Sequence, residues 1–231
     1  MKNTGFVFIS GAGLSASIWD DVRVKIDAPT LAIEAPERGS KAALKLTFKD
    51  YVDEAMNQIE AFPPKKIILV GHSIGGVVMM QLAQLLGKRV IGIIGAGATI
   101  PRPGESFLSC LPQPQRTVLG LVMRLAGTAV PESSIRKSLC SSLTTEQSDV
   151  IVKNFTPEAR ALYTTGISGK PYTGKAHYVV LTDDREFTAD FQRSMAERLN
   201  AKTTEIHGGH LSMINHADEV AKTVAAFAAD L

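Results

Sequence analysis

The chain has 231 residues, enough for one large domain or one domain with a modest insertion, and 45% hydrophobic residues, enough for a sizeable core. Its 25 basic and 23 acidic side chains nearly cancel and form no basic stripe, which argues against a nucleic-acid partner. No apolar stretch is long enough to span a bilayer, the opening apolar run is too short for a secretion signal, and Cys110 and Cys140 are expected as free thiols in the cytoplasm.

The first apolar run, residues 6–10, predicts a strand, and the loop Ser10-Gly11-Ala12-Gly13-Leu14 follows it. Residues 30–35 predict a second strand, and Tyr51, Val52, Ala55 and Ile59 mark one face of a helix. Pro63-Pro64-Lys65-Lys66 connects that helix to a third strand at 66–70, which runs into Gly71-His72-Ser73-Ile74-Gly75-Gly76 and an almost wholly apolar helix, 77–86. A fourth strand is expected at 90–95. The rhythm then breaks: residues 96–175 contain no convincing strand and are punctuated by Pro101, Pro103, Pro112, Pro114, Pro131, Pro157 and Pro171. Within them, 117–126 reads as an amphipathic helix, and Thr144-Thr145-Glu146-Gln147 has capping-box spacing. Thr156-Pro157-Glu158 reads as a helix start, with a cap before a proline. The strands resume at 177–182 and 203–207. Helical stripes follow each, at Phe187, Phe191, Met195 and Leu199, and at Val220, Val224, Phe227 and Leu231.

The strands are nearly continuous apolar runs alternating with helices, the pattern of a doubly wound, mostly parallel α/β sheet buried on both faces. The expected organisation is a core of residues 1–95 and 176–231, interrupted by a helical lid of residues 96–175 over the strand ends. Phe107, Leu111, Leu119, Val122, Met123 and Phe155 are candidate lid residues lining a pocket. A disulfide would have to lie inside this segment, since it holds both cysteines.

Gly71-His72-Ser73-Ile74-Gly75 has the form and the context of a nucleophile elbow, because it joins a buried strand directly to a buried helix. A turn that sharp has no room for side chains at its flanks, and it places Ser73 at a helix N-terminus that favours a developing anion. A serine hydroxyl needs a base. Of the five histidines, His210 lies on a loop two glycines beyond the last strand, at the carboxyl end of the sheet where ligands bind in open α/β folds. His207 ends that strand and suits packing or capping. A carboxylate must orient the imidazole, and Thr182-Asp183-Asp184-Arg185-Glu186 supplies two aspartates that fit on spacing alone. The oxyanion of an acyl-transfer intermediate needs two donors: the Ile74 amide, directly after the nucleophile, and one from the first loop, the Ala12 amide. No metal or organic cofactor is implied, and the partner is a small-molecule ester.

These stretches make the chain similar to the α/β-hydrolase superfamily over nearly its whole length. It most resembles a group of small esterases that includes plant methylesterases and hydroxynitrile lyases. The matching segments are Phe8-Ile9-Ser10-Gly11-Ala12 with Trp19, residues 71–76, Leu181-Thr182-Asp183-Asp184-Arg185 with Phe191-Gln192-Arg193, and Gly209-His210-Leu211-Ser212-Met213. The resemblance implies that Asp184, not Asp183, is the acid, giving a Ser73, Asp184, His210 triad. Ser10 departs from the family's usual histidine before the oxyanion glycine, and His216-Ala217 stands where a proline is common. The chain opens on the first central strand, so the family's two N-terminal strands are expected to be reduced or absent. Lyases of the group carry threonine at the Gly11 position and lysine at the Leu211 position, so the resemblance favours ester hydrolysis. A slow-turnover binding protein, lyase-like chemistry and cofactor-free oxygenase or perhydrolase chemistry remain alternatives on the same triad.

Overall fold

A computed structural model describes residues 4–231. Successive residues of a strand face opposite sides of its sheet, and here both sides are apolar. In β3 (Lys66–His72), Ile67 and Leu69 enter one core, and Ile68 and Val70 the other. The same alternation holds in β1 (Thr4–Ile9), where Val7 and Ile9 face one way and Phe6 and Phe8 the other. It recurs in β5 (Ala176–Leu181), with Tyr178 and Val180 against Val179 and Leu181. With β2 (Thr30–Ile33), β4 (Val90–Ala96) and β6 (Lys202–Ile206), these strands form one all-parallel, six-stranded sheet in the order β2-β1-β3-β4-β5-β6.

All six strands therefore stand where the sequence predicts them, within one or two residues. The two edge strands are less buried than an apolar run suggests: β6, Lys-Thr-Thr-Glu-Ile, buries only Ile206 fully. The chain passes outward from β1 to β2, then returns past β1 to start β3. The loops after β1 and β3 consequently diverge from adjacent strand ends, the crevice where open α/β sheets bind ligands.

Helices cover both faces. One face carries α1 (Asp20–Arg23), α10 (Ser212–Asn215) and α11 (Ala217–Ala229), with Val22, Met213, Val220 and Val224 in its core. The other carries α2 (Phe48–Glu60), α3 (Gly75–Leu86) and α9 (Ala189–Arg198). The predicted stripe of α2 is buried at Tyr51, Val52, Ala55 and Ile59. Two other stripes need correction. Phe187 precedes α9, whose buried face is Gln192, Met195 and Ala196, and Leu231 lies beyond α11 and is exposed.

Between β4 and β5 the described residues are helical or irregular. They form α4 (Phe107–Cys110), α5 (Gln115–Leu125), α6 (Glu132–Ser134), a π-helical stretch at Ile135–Leu139, α7 (Thr145–Asn154) and α8 (Arg160–Thr164). The Thr144–Gln147 capping box forms in both directions, with Thr144 Oγ1 accepting from the Gln147 amide and Gln147 Oε1 from the Thr144 amide. Thr156-Pro157-Glu158 does not begin a helix: α8 starts at Arg160, and the polar side chains of Thr156 and Glu158 are engaged elsewhere. The amphipathic α5 buries only Met123 fully, leaving Val118, Leu121 and Leu125 exposed. Cys110 and Cys140 are buried free thiols. Among the described residues no helix is long and apolar enough to cross a membrane.

Candidate active site

Ser73 sits between β3 and α3 with φ of +54°, the left-handed conformation of a nucleophile elbow. A non-glycine residue there costs of order 1–3 kcal/mol and persists only where its surroundings enforce it. The enforcement is visible. The Ser73 carbonyl accepts from the Gly76 amide at 3.1 Å, the Thr99 amide at 3.0 Å and Thr99 Oγ1 at 3.3 Å. The flanking glycines are required by close approach. A Cβ on Gly75 would lie 2.6 Å from the carbonyl oxygens of Ile9 and Ser10, and one on Gly76 would lie 2.2 Å from the Thr99 oxygen.

The predicted base and acid meet. His210 Nδ1 lies 2.7 Å from Asp184 Oδ2, with both side chains buried. A carboxylate can only accept, so Nδ1 carries the proton and Nε2 keeps its lone pair. Burial alone pushes His210 down, but the charge and hydrogen bond of Asp184, with Glu186 adding, hold it above the usual imidazole value. Asp184 is itself fixed: Oδ1 accepts from the amides of Glu186 at 2.7 Å and Phe187 at 3.2 Å, and Oδ2 from Gln192 Nε2 at 3.2 Å. Asp183 is exposed and takes no part. No hydrogen bond joins Ser73 to His210 among the described residues; the two face one cavity.

His72 lies behind this pair. Its ring is wholly buried, 4.5 Å from the His210 ring between centroids, and its Nε2–H donates to the His210 carbonyl at 2.9 Å. Burial and the neighbouring His210 keep it well below the usual imidazole range, hence neutral. His177 contacts Thr204 Oγ1 and His207 contacts Thr182 Oγ1, both bridging β5 and β6 or their ends, and His216 contacts Glu219 at the start of α11.

The first loop packs directly on the elbow: a Cβ on Gly11 would fall 2.9 Å from Ser73 Cβ. The Ala12 and Ile74 amides donate to no protein acceptor among the described residues, and both residues line the same cavity as Ser73 and His210. That cavity holds about 610 Å³ and is lined mainly by apolar side chains, including Phe107, Leu111, Leu119, Val122, Phe155 and Phe187. Five of the six candidate pocket residues are among them; Met123 is buried away from it. Glu186 is the only acidic lining residue. A larger groove of about 860 Å³ runs along β6 and α11, and none of the predicted site residues lines it. No cluster of three or more histidine, cysteine or acidic side chains is placed to hold a metal ion among the described residues.

Three supporting residues escape a sequence reading. Thr99 holds the elbow, Gln192 holds the acid loop, and Glu158 reaches the first loop from a distant part of the chain. Gln192 had a signal, a polar residue at helical spacing with Met195 and Leu199 on a buried face. Thr99 and Glu158 had none, because their partners are far away in sequence.

A parallel sheet bearing a strained strand–serine–helix elbow, a facing glycine turn and a histidine–aspartate pair beyond the strand ends defines the α/β-hydrolase class. The chain belongs to the alpha/beta hydrolase family, whose family model matches residues 6–223. It is similar to polyneuridine aldehyde esterase of Rauvolfia serpentina, 20% identical over 94% of this chain and 92% of that protein. A shorter stretch is 27% identical to a carbendazim hydrolyzing esterase of a Nocardioides species, covering 33% of this chain and 32% of that protein. Among solved structures, an extracellular alpha/beta-hydrolase from a Paenibacillus species superposes with a TM-score of 0.84. It is 20% identical and the match covers 96% of this chain and 98% of that one. At such identities the structural likeness establishes the fold.

Proposed function

We propose that the protein is a serine esterase that cleaves a small, uncharged carboxylic ester through Ser73, His210 and Asp184. The observation that carries this reading is the 2.7 Å His210–Asp184 bond on the same apolar cavity as Ser73 and two unengaged amides. Ser73 Oγ attacks the ester carbonyl carbon as His210 Nε2 takes its proton, and Asp184 stabilises the imidazolium. The Ala12 and Ile74 amides receive the oxyanion, an interaction worth on the order of 3 kcal/mol per donor. Collapse breaks the bond to the alkoxy group, which takes the proton from His210 and leaves as the alcohol. Water, activated by the same imidazole, then attacks the acyl-enzyme and releases the acid.

The segment 96–175 serves as the lid, since its residues form most of the cavity wall. The apolar lining and the acidic Glu186 favour uncharged acyl groups over substrates carrying a carboxylate. Esterase relatives point the same way, in name and at low identity.

Turnover of p-nitrophenyl acetate and butyrate, with Ser73→Ala as the control, tests the proposal. The expected loss in the variant is at least about 10⁴-fold in kcat. Equal, slow hydrolysis by both proteins would instead favour a binding protein of this fold.

A further inference from the structure

We infer that Glu158 is a positioning residue for the oxyanion loop, a carboxylate carried by the helical segment that holds the turn presenting the Ala12 amide. The inference rests on the esterase reading above. The loop is a four-residue turn: the Leu14 amide donates to the Gly11 carbonyl at 3.3 Å, and Gly13 has φ of +75° while Ala12 does not have positive φ. That combination is a type II turn with Ala12 and Gly13 at its centre. A type I turn differs by rotation of the Ala12–Gly13 peptide; glycine at the third position favours type II, and type I stays sterically open to it.

The helical segment fixes that choice from outside the turn. Glu158 Oε1 accepts from the Gly13 amide at 3.3 Å, and the rotated peptide would turn the Ala12 carbonyl oxygen towards that carboxylate instead. The Gly13 carbonyl accepts from the Thr156 amide at 3.1 Å and from Arg38 Nη2 at 3.0 Å. The Phe155 ring closes the remaining side, where a Cβ on Gly13 would fall 2.3 Å from it. Residues 155–158 thus grip Gly13 by its amide, its carbonyl and its bare α-carbon.

Glu158 is anchored for this task. Only 3% of it is exposed, and Tyr51 Oη donates to Oε2 at 2.8 Å while accepting from the Ala159 amide at 3.0 Å. A buried carboxyl is costly unless every oxygen is engaged, and an apolar residue would fill this space without that cost. The charged and titratable groups facing it are Tyr51 on α2, Arg38 and Glu34 after β2, and Tyr163 on α8. Burial holds the carboxyl above the ordinary range. Tyr51, the Gly13 amide and Arg38 pull it back, and Glu34 pushes it further up.

The test compares wild type, Glu158→Leu, Glu158→Gln, Tyr51→Phe and Ser73→Ala. Each is assayed for p-nitrophenyl butyrate hydrolysis, for affinity to a trifluoromethyl ketone whose hemiketal places an oxyanion on Ser73, and for melting temperature. Glu158→Leu is expected to lower kcat roughly ten- to a hundredfold, with KM within about threefold, and to weaken the ketone by the same factor. Glu158→Gln keeps an acceptor for Gly13 and is expected to recover most of both constants. Tyr51→Phe removes only the anchor and should move both constants about three- to tenfold in the same direction. Folded Glu158→Leu with kcat and ketone affinity within twofold of wild type overturns the inference. If that variant does not fold, unchanged constants in Tyr51→Phe overturn it. Turnover surviving in Ser73→Ala would instead remove the esterase reading itself.

Discussion

Replacing Gln192 by leucine keeps side-chain size but removes the group that completes β5. Leu181 pairs with Ile206 of β6 in register, whereas pairing with β4 stops at Val179. The Thr182 amide donates to Ile206, so in a parallel ladder the Leu181 amide and carbonyl point to the other side, where β4 has ended. The Gln192 carboxamide stands in for the missing rung. Its oxygen accepts from the Leu181 amide at 2.8 Å, and its nitrogen donates to the carbonyls of Leu181 at 3.0 Å and Phe187 at 2.8 Å. Leucine would leave these three buried backbone groups without that partner. At about 1–3 kcal/mol per stranded group, and allowing for local relaxation, the expected loss is about 4 kcal/mol. For a domain of this size that lowers Tm by about 8–16 °C. Asp184 Oδ2 also loses a donor, so kcat/KM should fall by roughly tenfold. Calorimetry gives the first quantity. Rates normalised by titration of reactive serine with an organophosphate give the second, without counting unfolded protein. A variant within 3 °C (about 1 kcal/mol) of wild type, with kcat/KM per titrated site within about twofold, would refute the reasoning.

Two further predictions concern the pair and the elbow. His210 is held above the usual imidazole value because Asp184 more than offsets burial, so the acid limb of kcat/KM should lie above about pH 6.5. Asp184→Asn removes the raising influence and leaves burial, so the limb should move to lower pH while kcat falls about 10⁴-fold; a limb that stays in place contradicts the assignment. The corresponding stabilisation is complete below the unfolded imidazole value and is lost as pH rises through the higher folded one. Gly76→Ala would drive a Cβ to 2.2 Å from the carbonyl oxygen of Thr99, the residue whose amide and hydroxyl brace the Ser73 carbonyl. About 2–4 kcal/mol of stability and most organophosphate-reactive serine should be lost, and a stable, fully titratable variant would show that the elbow tolerates a side chain there.

The sheet is legible because burial on both faces forces apolar residues into consecutive positions. In β3, Ile67, Ile68, Leu69 and Val70 must satisfy two cores at once. The elbow and the aspartate segment are legible because each directly follows such a strand, and the base because it follows the last strand, so strand ends locate all three. Edge strand β6 shows the limit, since water on one side leaves it Lys-Thr-Thr-Glu-Ile and only its position after α9 marks it. Four-residue spacing picks out Phe187, Met195 and Leu199, all buried in one core, but omits Gln192, which a 3.6-residue turn also brings inward, and Phe187 lies before the helix begins. Thr156 and Glu158 have the composition of a helix start, yet their side chains bond Arg38 and Tyr51, over a hundred residues away in the chain. Local pattern reports local partners, and the bonds that orient this site are mostly non-local.

That distinction runs through the site. Ser73, Ile74 and the His210–Asp184 pair are braced by the sheet and its helices, through the Gly75–Ile9 approach and Gln192, and by Thr99 just beyond the end of β4. The Ala12 turn has a second support outside the sheet, because Gly13 is bonded to Thr156 and Glu158. Those residues belong to the segment that also supplies most of the cavity wall, and whose α5 leaves Val118, Leu121 and Leu125 in solvent. Within it α5 has little buried apolar surface and lies at the less stable end of local equilibria, whereas Phe107, Leu111, Ile135, Leu139, Ile151 and Leu162 pack the remainder. Movement at residues 155–158 would change cavity shape, through Phe155, and the Ala12 turn together, while the strand-anchored acid and base stay in place. Under the proposed chemistry, the selectivity of this protein and half of its oxyanion stabilisation therefore share one mechanical element.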